Sequence, residues 1–500
     1  MKVLLYNWVT HDDAEGRGGG VRIYHANLVR ALARLPGVRV YTLSSGVSYD
    51  LLRRRVYIRE RPKRKGTTDY EVVNSPVAAP AHAAFYSLDV YLRDTTLKGI
   101  VKNFLDAHGP FDVIQFDNLE GLTAGVLELK ELYPATRFIY YMHNYNLICP
   151  QVNLWYAESR ACDDYNEGKR CAVCLPRVIN MREVKIAYAV SCGLQRVGIK
   201  PGSFVFRALY RHASLTKRVL RVIRRLGGGS APTQAVIRYP ASQTRNARAE
   251  TSVLFAASSA GEIYRQYRLR NVGNVNDRFD RVLAVSQRVK ELAVGFGIAA
   301  SRISVVHIGT AFAERQVPIR VTDKHHLKIA YLGYERRDKG FYHFLDALET
   351  LPRSAARKIS LLIAAQLRSP KTLARIKHLA GEFHDVEIVD GYDHGSLERL
   401  LEDVDLGVVP VLWEDSLPQV AMEFVAHGVP VLSSDLGGAK ELCAANKRFV
   451  YRNGNVHDLV NKLLFFLDNR SALGSYDGHQ QELMDMDRHA RLIMNDFYQA

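Results

Sequence analysis

At 500 residues the chain exceeds what one hydrophobic core usually organises, so two domains of roughly 200 to 300 residues each are expected. Hydrophobic residues at 47% and charged residues at 24% exclude wholesale disorder and fibrous repeats. The net charge of +16 calls for an anionic partner, and residues 201–250, with ten Lys or Arg against Glu250 alone, supply nine of the sixteen excess charges.

The opening run Met1–Tyr6 is apolar, but Asn7 and His11-Asp12-Asp13 end it too soon for a secretory leader, and it reads as a first strand. Gly18-Gly19-Gly20 follows, then Val21–Leu35, where Tyr24, Leu28, Ala31, Leu32 and Leu35 recur at helical spacing. Strand, glycine turn and helix open a βαβ unit. Small residues at that turn let backbone N–H groups and the helix N-terminus approach a phosphate, while a plain flexible turn accounts for the three glycines equally well. Further short buried-strand patterns fall at Val38–Leu43, Val113–Phe116, Phe138–Met142, Val282–Val285 and Ile303–Val306. Residues 155–280 lack this rhythm and read as an insertion.

A second series of strands begins after Gln316–His326: Lys328–Leu332, Ile359–Ala364, Val386–Val389, Leu406–Val409 and Val429–Ser433, with helical segments such as Gly340–Leu348 between them. The expected fold class is α/β with two Rossmann-like parallel-sheet domains, 1–318 (insertion at about 155–280) and 319–500. The last helix, around Arg488–Tyr498, fits either domain. No stretch reaches the roughly 18 uncharged apolar residues of a membrane-spanning helix, and six cysteines are too few for a disulfide scaffold, so a cytoplasmic chain is expected.

The most informative stretch is Trp413-Glu414-Asp415-Ser416-Leu417-Pro418-Gln419-Val420-Ala421-Met422-Glu423, then Gly428-Val429-Pro430-Val431, Gly437-Gly438 and Glu441. It follows one predicted strand and opens a helix, which brings an acid in a loop and an acid on a helix to the carboxyl ends of parallel strands, where such sheets bind ligands. One ionised carboxylate can accept hydrogen bonds from both hydroxyls of a ribose. The alternative is that Asp415 caps the helix and Glu423 is a surface acid, although Met422, Phe424 and Val425 argue against a solvated position for Glu423.

These residues resemble the GT-B glycosyltransferases, and among them the retaining enzymes of glycosyltransferase family 4, whose Glu-x7-Glu pattern is matched by Asp415 and Glu423. The resemblance implies that Glu423 holds the ribose of a nucleotide-diphosphate sugar, Asp415 faces the donor sugar, and the amides near Gly437 and Gly438 help bind the donor. It extends to Gly18–Gly20, with Gly19 and Gly20 toward the donor, and to Phe138–Pro150, whose His143 would contact the transferred sugar. Ala284–Ser286 and Val305–Gly309 match the approach to the second domain. Tyr331-Leu332-Gly333 through Asp338-Lys339-Gly340 matches a turn whose Lys binds the diphosphate.

The sequence departs from the family in two places. Asp415 replaces the usual Glu and keeps its charge. Tyr334 stands where an Arg is common, leaving Arg337 or Arg336 as substitutes. Retaining transfer in this family is thought to need no enzyme nucleophile, so Lys339, an Arg and backbone amides would stabilise the departing diphosphate, and no metal or other cofactor is required. Asp117 and Glu120 are further candidate acids for acceptor contact or proton acceptance. The acceptor implied by analogy is a glycan or lipid-linked oligosaccharide in surface polysaccharide synthesis.

Cys149, Cys162, Cys171 and Cys174 form C-x12-C-x8-C-x2-C, which fits either a structural zinc site or four buried thiols. Cys192 and Cys443 read as core residues. Leu215–Leu226 is amphipathic: Leu215, Val219, Val222, Ile223 and Leu226 share one face, Lys217, Arg218, Arg221, Arg224 and Arg225 the other. Such a helix lies on an anionic membrane surface or packs on its own domain. Two rival functions are a GT-B-fold nucleotide-sugar epimerase, which the Asp415–Glu423 pattern disfavours, and nucleic-acid binding through the excess charge. The second lacks any recognised nucleic-acid-binding pattern, and no nucleic-acid partner is expected.

Overall fold

A computed structural model of the chain describes all residues except 63–65, 176–178, 202, 207, 209–257, 314–316, 320–325, 393–394, 444–445, 477–482 and 500. Two compact units emerge. Unit 1 comprises Met1–Tyr140, Asn146–Val152 and Asp164–Asp280; unit 2 comprises Tyr141–Tyr145, Asn153–Asp163 and Arg281–Ala500.

In unit 1, β1 (Lys2–Tyr6), β2 (Arg39–Ser48), β3 (Tyr57–Glu60), β4 (Thr67–Val73), β5 (Val113–Phe116) and the larger part of β6 (Arg137–Met142) lie side by side in the order β6-β5-β1-β2-β4-β3. All neighbours are parallel except β3 and β4. Every residue of β5 is buried, as in a strand covered on both faces. Helix α1 (Gly19–Arg34) buries Tyr24, Leu28, Val29, Ala31 and Leu32. Gly18 precedes it with φ 84°, and a Cβ there would stand 2.5 Å from Val9 Cγ1, so the turn requires glycine at this position. Asp117, at the end of β5, is buried and pairs with His25 of α1 at 2.6 Å, while Gln115 donates to its other oxygen.

The expected insertion includes two long helices in unit 1, α2 (Met181–Arg196) and α3 (Ser258–Arg278). Asn180 caps α2 by accepting from the Arg182 N–H. Helix α2 is tied down by side chains: Lys185 donates to the Pro76 carbonyl, Tyr188 to that of Ala79, and Ser191 to Glu15. Helix α3 buries Tyr264, Tyr267, Asn271 and Val275, and Tyr91 donates to the Asn271 side chain at 2.6 Å.

Unit 2 contains a short hairpin, β7 (Trp155–Tyr156) with β8 (Arg160–Ala161), and a parallel pair, β9 (Arg281–Ala284) with β10 (Ile303–Val305). Its main sheet is β11 (Leu327–Tyr334), β12 (Ile359–Gln366), β13 (Asp385–Val389), β14 (Leu406–Val409), β15 (Val431–Ser434) and β16 (Val450–Tyr451), in the order β13-β12-β11-β14-β15-β16 and parallel throughout. The α/β class with two parallel sheets is as expected from sequence. The last helix, Met486–Ile493 with a π-helical turn Met494–Tyr498, lies in unit 2.

The chain leaves β11 toward β12 and β13 on one side, then crosses to β14 and β15 on the other. The loops after β11 and β14 therefore diverge from adjacent strand ends, the topological switch point at which open α/β sheets form a crevice. Gly340 brings the two loops together: its φ is 72°, and a Cβ there would stand 1.6 Å from the Pro410 carbonyl oxygen. Replacing Gly340 with Ala combines a left-handed backbone with a clash against main chain, and is expected to cost at least about 2 kcal/mol. Denaturant unfolding of Gly340→Ala checks this; a midpoint equal to the wild type would show that the loops relax freely.

Candidate active site

Three segments build the site, all within unit 2. The loop after β11 carries Arg336, Arg337, Asp338 and Lys339 and enters α5 (Phe341–Thr350), with Gly340 as its N-cap. The loop after β14 carries Trp413–Pro418 and enters α6 (Gln419–Ala426), which lies flat on the sheet because Gly407 of β14 leaves room for the Phe424 ring. The loop after β15 carries Gly437 and Gly438. Helix α4 (Gln287–Gly295), capped by Ser286, stands beside the last two.

Lys339 and Asp415 meet. The ammonium is 2.5 Å from Asp415 Oδ2 and 5.2 Å from the centre of the Trp413 ring, so a carboxylate and an indole face share one cation. Asp415 is buried and Lys339 is half-buried. Arg336 is forked onto Asp338, at 2.9 and 2.6 Å, whereas Arg337 is exposed at the tip of the turn.

The glycine pair packs against the acidic loop. A Cβ on Gly437 would stand 2.3 Å from the Asp415 carbonyl oxygen, and one on Gly438 2.2 Å from that of Ser416. Their N–H groups, expected from the resemblance to face a donor, instead donate to Glu414 (2.9 Å) and to the Asp415 carbonyl (2.8 Å). Glu414 carries no signal of its own in the sequence, since the spacing picks out its neighbour Asp415. Glu414 is 2% exposed, accepts the fork of Arg288 at 3.1 and 2.6 Å, and so ties α4, the acidic loop and the glycine turn into one piece. Ser416 donates to the His143 carbonyl and accepts, through its own carbonyl, from Ser286. His143 is buried, with its ring 4.5 Å from that of Tyr141. Glu441 accepts from the Gln287 and Arg288 N–H groups and completes the N-terminus of α4.

Glu423 lies on α6 and is only 3% exposed, with Met422 and Phe424 buried on either side. Tyr392, three residues beyond β13, donates to its carboxylate at 2.9 Å. Burial pushes the Glu423 carboxyl up to about 7, with the Tyr392 hydroxyl acting in the opposite direction. The sequence signal for Tyr392 was weak: an aromatic residue directly after Gly391 at a strand's carboxyl end.

Gly19 and Gly20 lie in unit 1 at the start of α1. Cys149, Cys171 and Cys174 are buried thiols of unit 1 and Cys162 falls in unit 2; among the described residues no group of three or more His, Cys, Asp or Glu is placed to hold a metal ion. Cys443 is a buried core thiol pushed up to about 12, and Cys192, held up by partial burial, donates to the Val47 carbonyl. Leu215–Leu226 lies outside the described residues. Among those described, no helix is long and apolar enough to cross a membrane.

With this geometry in place, residues 313–482 match the model of the family described as glycosyl transferases group 1, a segment that contains Lys339, Asp415, Glu423, Gly437 and Gly438. This chain is a glycosyltransferase. No curated protein matches it. Three solved structures are similar over its whole length. Sucrose-phosphate synthase from Thermosynechococcus elongatus is 15% identical, with 99% of this chain and 98% of that one covered and a TM-score of 0.56. Anabaena HepE in complex with UDP is 11% identical, with both chains fully covered and a TM-score of 0.55. The lipopolysaccharide outer core galactosyltransferase WaaB, in its apo form, is 11% identical, again with full coverage of both, at 0.52. The fold of this glycosyltransferase is thus GT-B, with two parallel-sheet units.

The buried carboxyl of Glu423 sets a pH dependence. Its folded-state value of about 7 lies above the ordinary 4.5. Between these values the unfolded chain has released a proton that the folded protein retains, so stability falls as pH rises through that window and levels off above it. Glu423→Gln keeps an acceptor for Tyr392 and removes the titration. The variant is expected to gain on the order of 2 to 3 kcal/mol over the wild type above pH 7 and little near pH 4.5. Denaturant melts at the two pH values check this; equal stabilities at high pH would mean that the carboxylate is better solvated than its burial implies.

Proposed function

We propose that this glycosyltransferase moves a sugar from a nucleotide-diphosphate sugar to a glycan or lipid-linked acceptor, with retention of anomeric configuration, in the building of a surface polysaccharide. It would work on the anionic cytosolic face of a membrane. The observation that carries the reading is a lysine-paired Asp415 in the loop after β14 and a buried Glu423 on the helix that this loop enters, both inside the segment that matches the glycosyl transferases group 1 model. A buried acid at about 7 is costly to a folded protein, and a vicinal diol is a ligand that recovers the cost, because both carboxylate oxygens accept its hydroxyls.

In this reading Glu423 holds the donor ribose, with Tyr392 orienting its carboxylate. The donor diphosphate draws Lys339 away from Asp415, which turns to the hydroxyls of the donor sugar. Arg337, exposed at the same turn, reaches the diphosphate, and His143 contacts the transferred sugar. The bond from the anomeric carbon to the diphosphate oxygen breaks and a bond to the acceptor hydroxyl oxygen forms on the same face. An acceptor entering on that face lies next to the departing oxygen, which takes the hydroxyl proton. Charge developing on the diphosphate is met by the Lys339 ammonium, already held by the fold. Retention and the polysaccharide role rest on the family resemblance. The HepE structure in complex with UDP makes UDP-sugars the first donors to try.

Incubation with UDP-sugars and a lipid-linked acceptor tests the reading, with NMR of the first-formed product. The expected product carries the donor's anomeric configuration, and no new nucleotide sugar arises without acceptor. An inverted linkage would overturn retention, and a new nucleotide sugar made without acceptor would assign the protein to epimerisation.

A further inference from the structure

The loop after β2 in unit 1 is rigidly framed. Asp50 Oδ1 accepts the N–H groups of Leu52 at 2.9 Å and Arg53 at 3.3 Å. Asn74 accepts the Asp50 N–H at 2.8 Å and donates its amide to the carbonyls of Arg53 and of Arg55, the latter at 3.0 Å. Arg196, in the last turn of α2, holds Asp50 Oδ2 at 2.8 Å. The Asp50 carboxylate is therefore occupied by the loop's own amides and one guanidinium.

What this frame presents is unusual for a surface loop. Leu52 is 94% exposed and Leu51 54%, and Val197, adjacent to Arg196, is 72% exposed. Arg53, Arg54 and Arg55 follow directly and are all exposed. Scattered exposed leucines need no explanation. A pair of leucines held outward by five hydrogen bonds and followed by three guanidiniums is a different case. Its apolar tip and cationic base match the depth profile of a lipid interface, with acyl chains below and phosphates above. The excess of positive charge over the whole chain points to the same partner.

We propose that Asp50–Arg55 is a docking finger for an anionic lipid surface. Leu51 and Leu52 enter the acyl boundary, Arg53, Arg54 and Arg55 engage headgroup phosphates, and Asp50, Asn74 and Arg196 keep the tip in shape. The proposal gives a surface to the lipid-linked acceptor of the functional reading and rests on that reading only for its purpose.

Co-sedimentation of the full chain with phosphatidylcholine vesicles, with and without phosphatidylglycerol, tests it. The wild type is expected to bind only when the anionic lipid is present. Leu51→Ser with Leu52→Ser should weaken binding roughly tenfold. Charge reversal of Arg53, Arg54 and Arg55 to Glu should weaken it on the order of a hundredfold, and salt should do the same progressively. Both variants should keep the wild-type melting temperature and bind UDP-sugar in solution as the wild type does, so a failure of nucleotide binding would count against the functional reading alone. Undiminished vesicle binding by the leucine variant, equal binding to neutral vesicles, or none to anionic ones would overturn the docking finger. So would a vesicle-free dimer that the leucine substitutions dissolve, since the occupant would then be a second copy of the chain.

Discussion

Everything in the unit 2 site depends on two loops being forced together. Gly340 lets the loop after β11 lie against the Pro410 carbonyl of the loop after β14, and the Lys339–Asp415 pair closes the same junction with opposite charges. Neither loop could hold its charge in place alone. Asp415 is buried and would be costly without a cation, and Lys339 would otherwise be a solvated turn residue. The pair fixes a cation at the junction with its counterion beside it, and in the proposed reading the donor diphosphate displaces that counterion.

The rest of the site is arranged to keep that junction rigid. Glu414 binds Arg288 and the Gly437 amide, Glu441 closes the N-terminus of α4, and Ser416 bridges Ser286 and the His143 carbonyl. These groups face one another, and their hydrogen bonds are used internally. Glu423 differs. Tyr392 donates to its carboxylate and burial holds it near neutrality, so a ligand that accepts or donates at this carboxyl would change its ionisation.

Much of this organisation was legible in the sequence. Strand β14 lies in the middle of the unit 2 sheet with every residue buried, so Leu406–Val409 appears in the sequence as a continuous apolar run with the same bounds as the strand. Where a boundary moved, local chemistry explains it: Val429 and Pro430 belong to the approach to β15, after the left-handed Gly428, and the strand begins at Val431. The two described long helices within 155–280 were illegible because they take their identity from distant partners. Helix α2 is anchored through Pro76, Ala79 and Glu15, and α3 buries polar side chains, Arg268, Asn271 and Asn274, which blur any apolar period. Within the site, spacing found Asp415 and Glu423, but it could not reveal that Glu414 points into the scaffold, that the Gly437 and Gly438 amides are already used, or that Tyr392 reaches Glu423 from another loop. The cysteine spacing is likewise a local pattern, Cys171-Ala172-Val173-Cys174, and among the described residues no group of three or more metal-ligating side chains is placed to hold an ion.

The central claim is that the ionised carboxylate of Glu423 receives the donor's ribose. Titration calorimetry of UDP-glucose near pH 6, in two buffers of different ionisation enthalpy, tests it most directly, because the donor's own phosphates do not titrate there. At that pH Glu423 is mostly protonated and must lose its proton to accept two hydroxyls. The account predicts release of close to one proton per donor bound, fading as the pH rises past 8 and absent in Glu423→Gln. Binding of UDP-glucose with no dependence on buffer would contradict it.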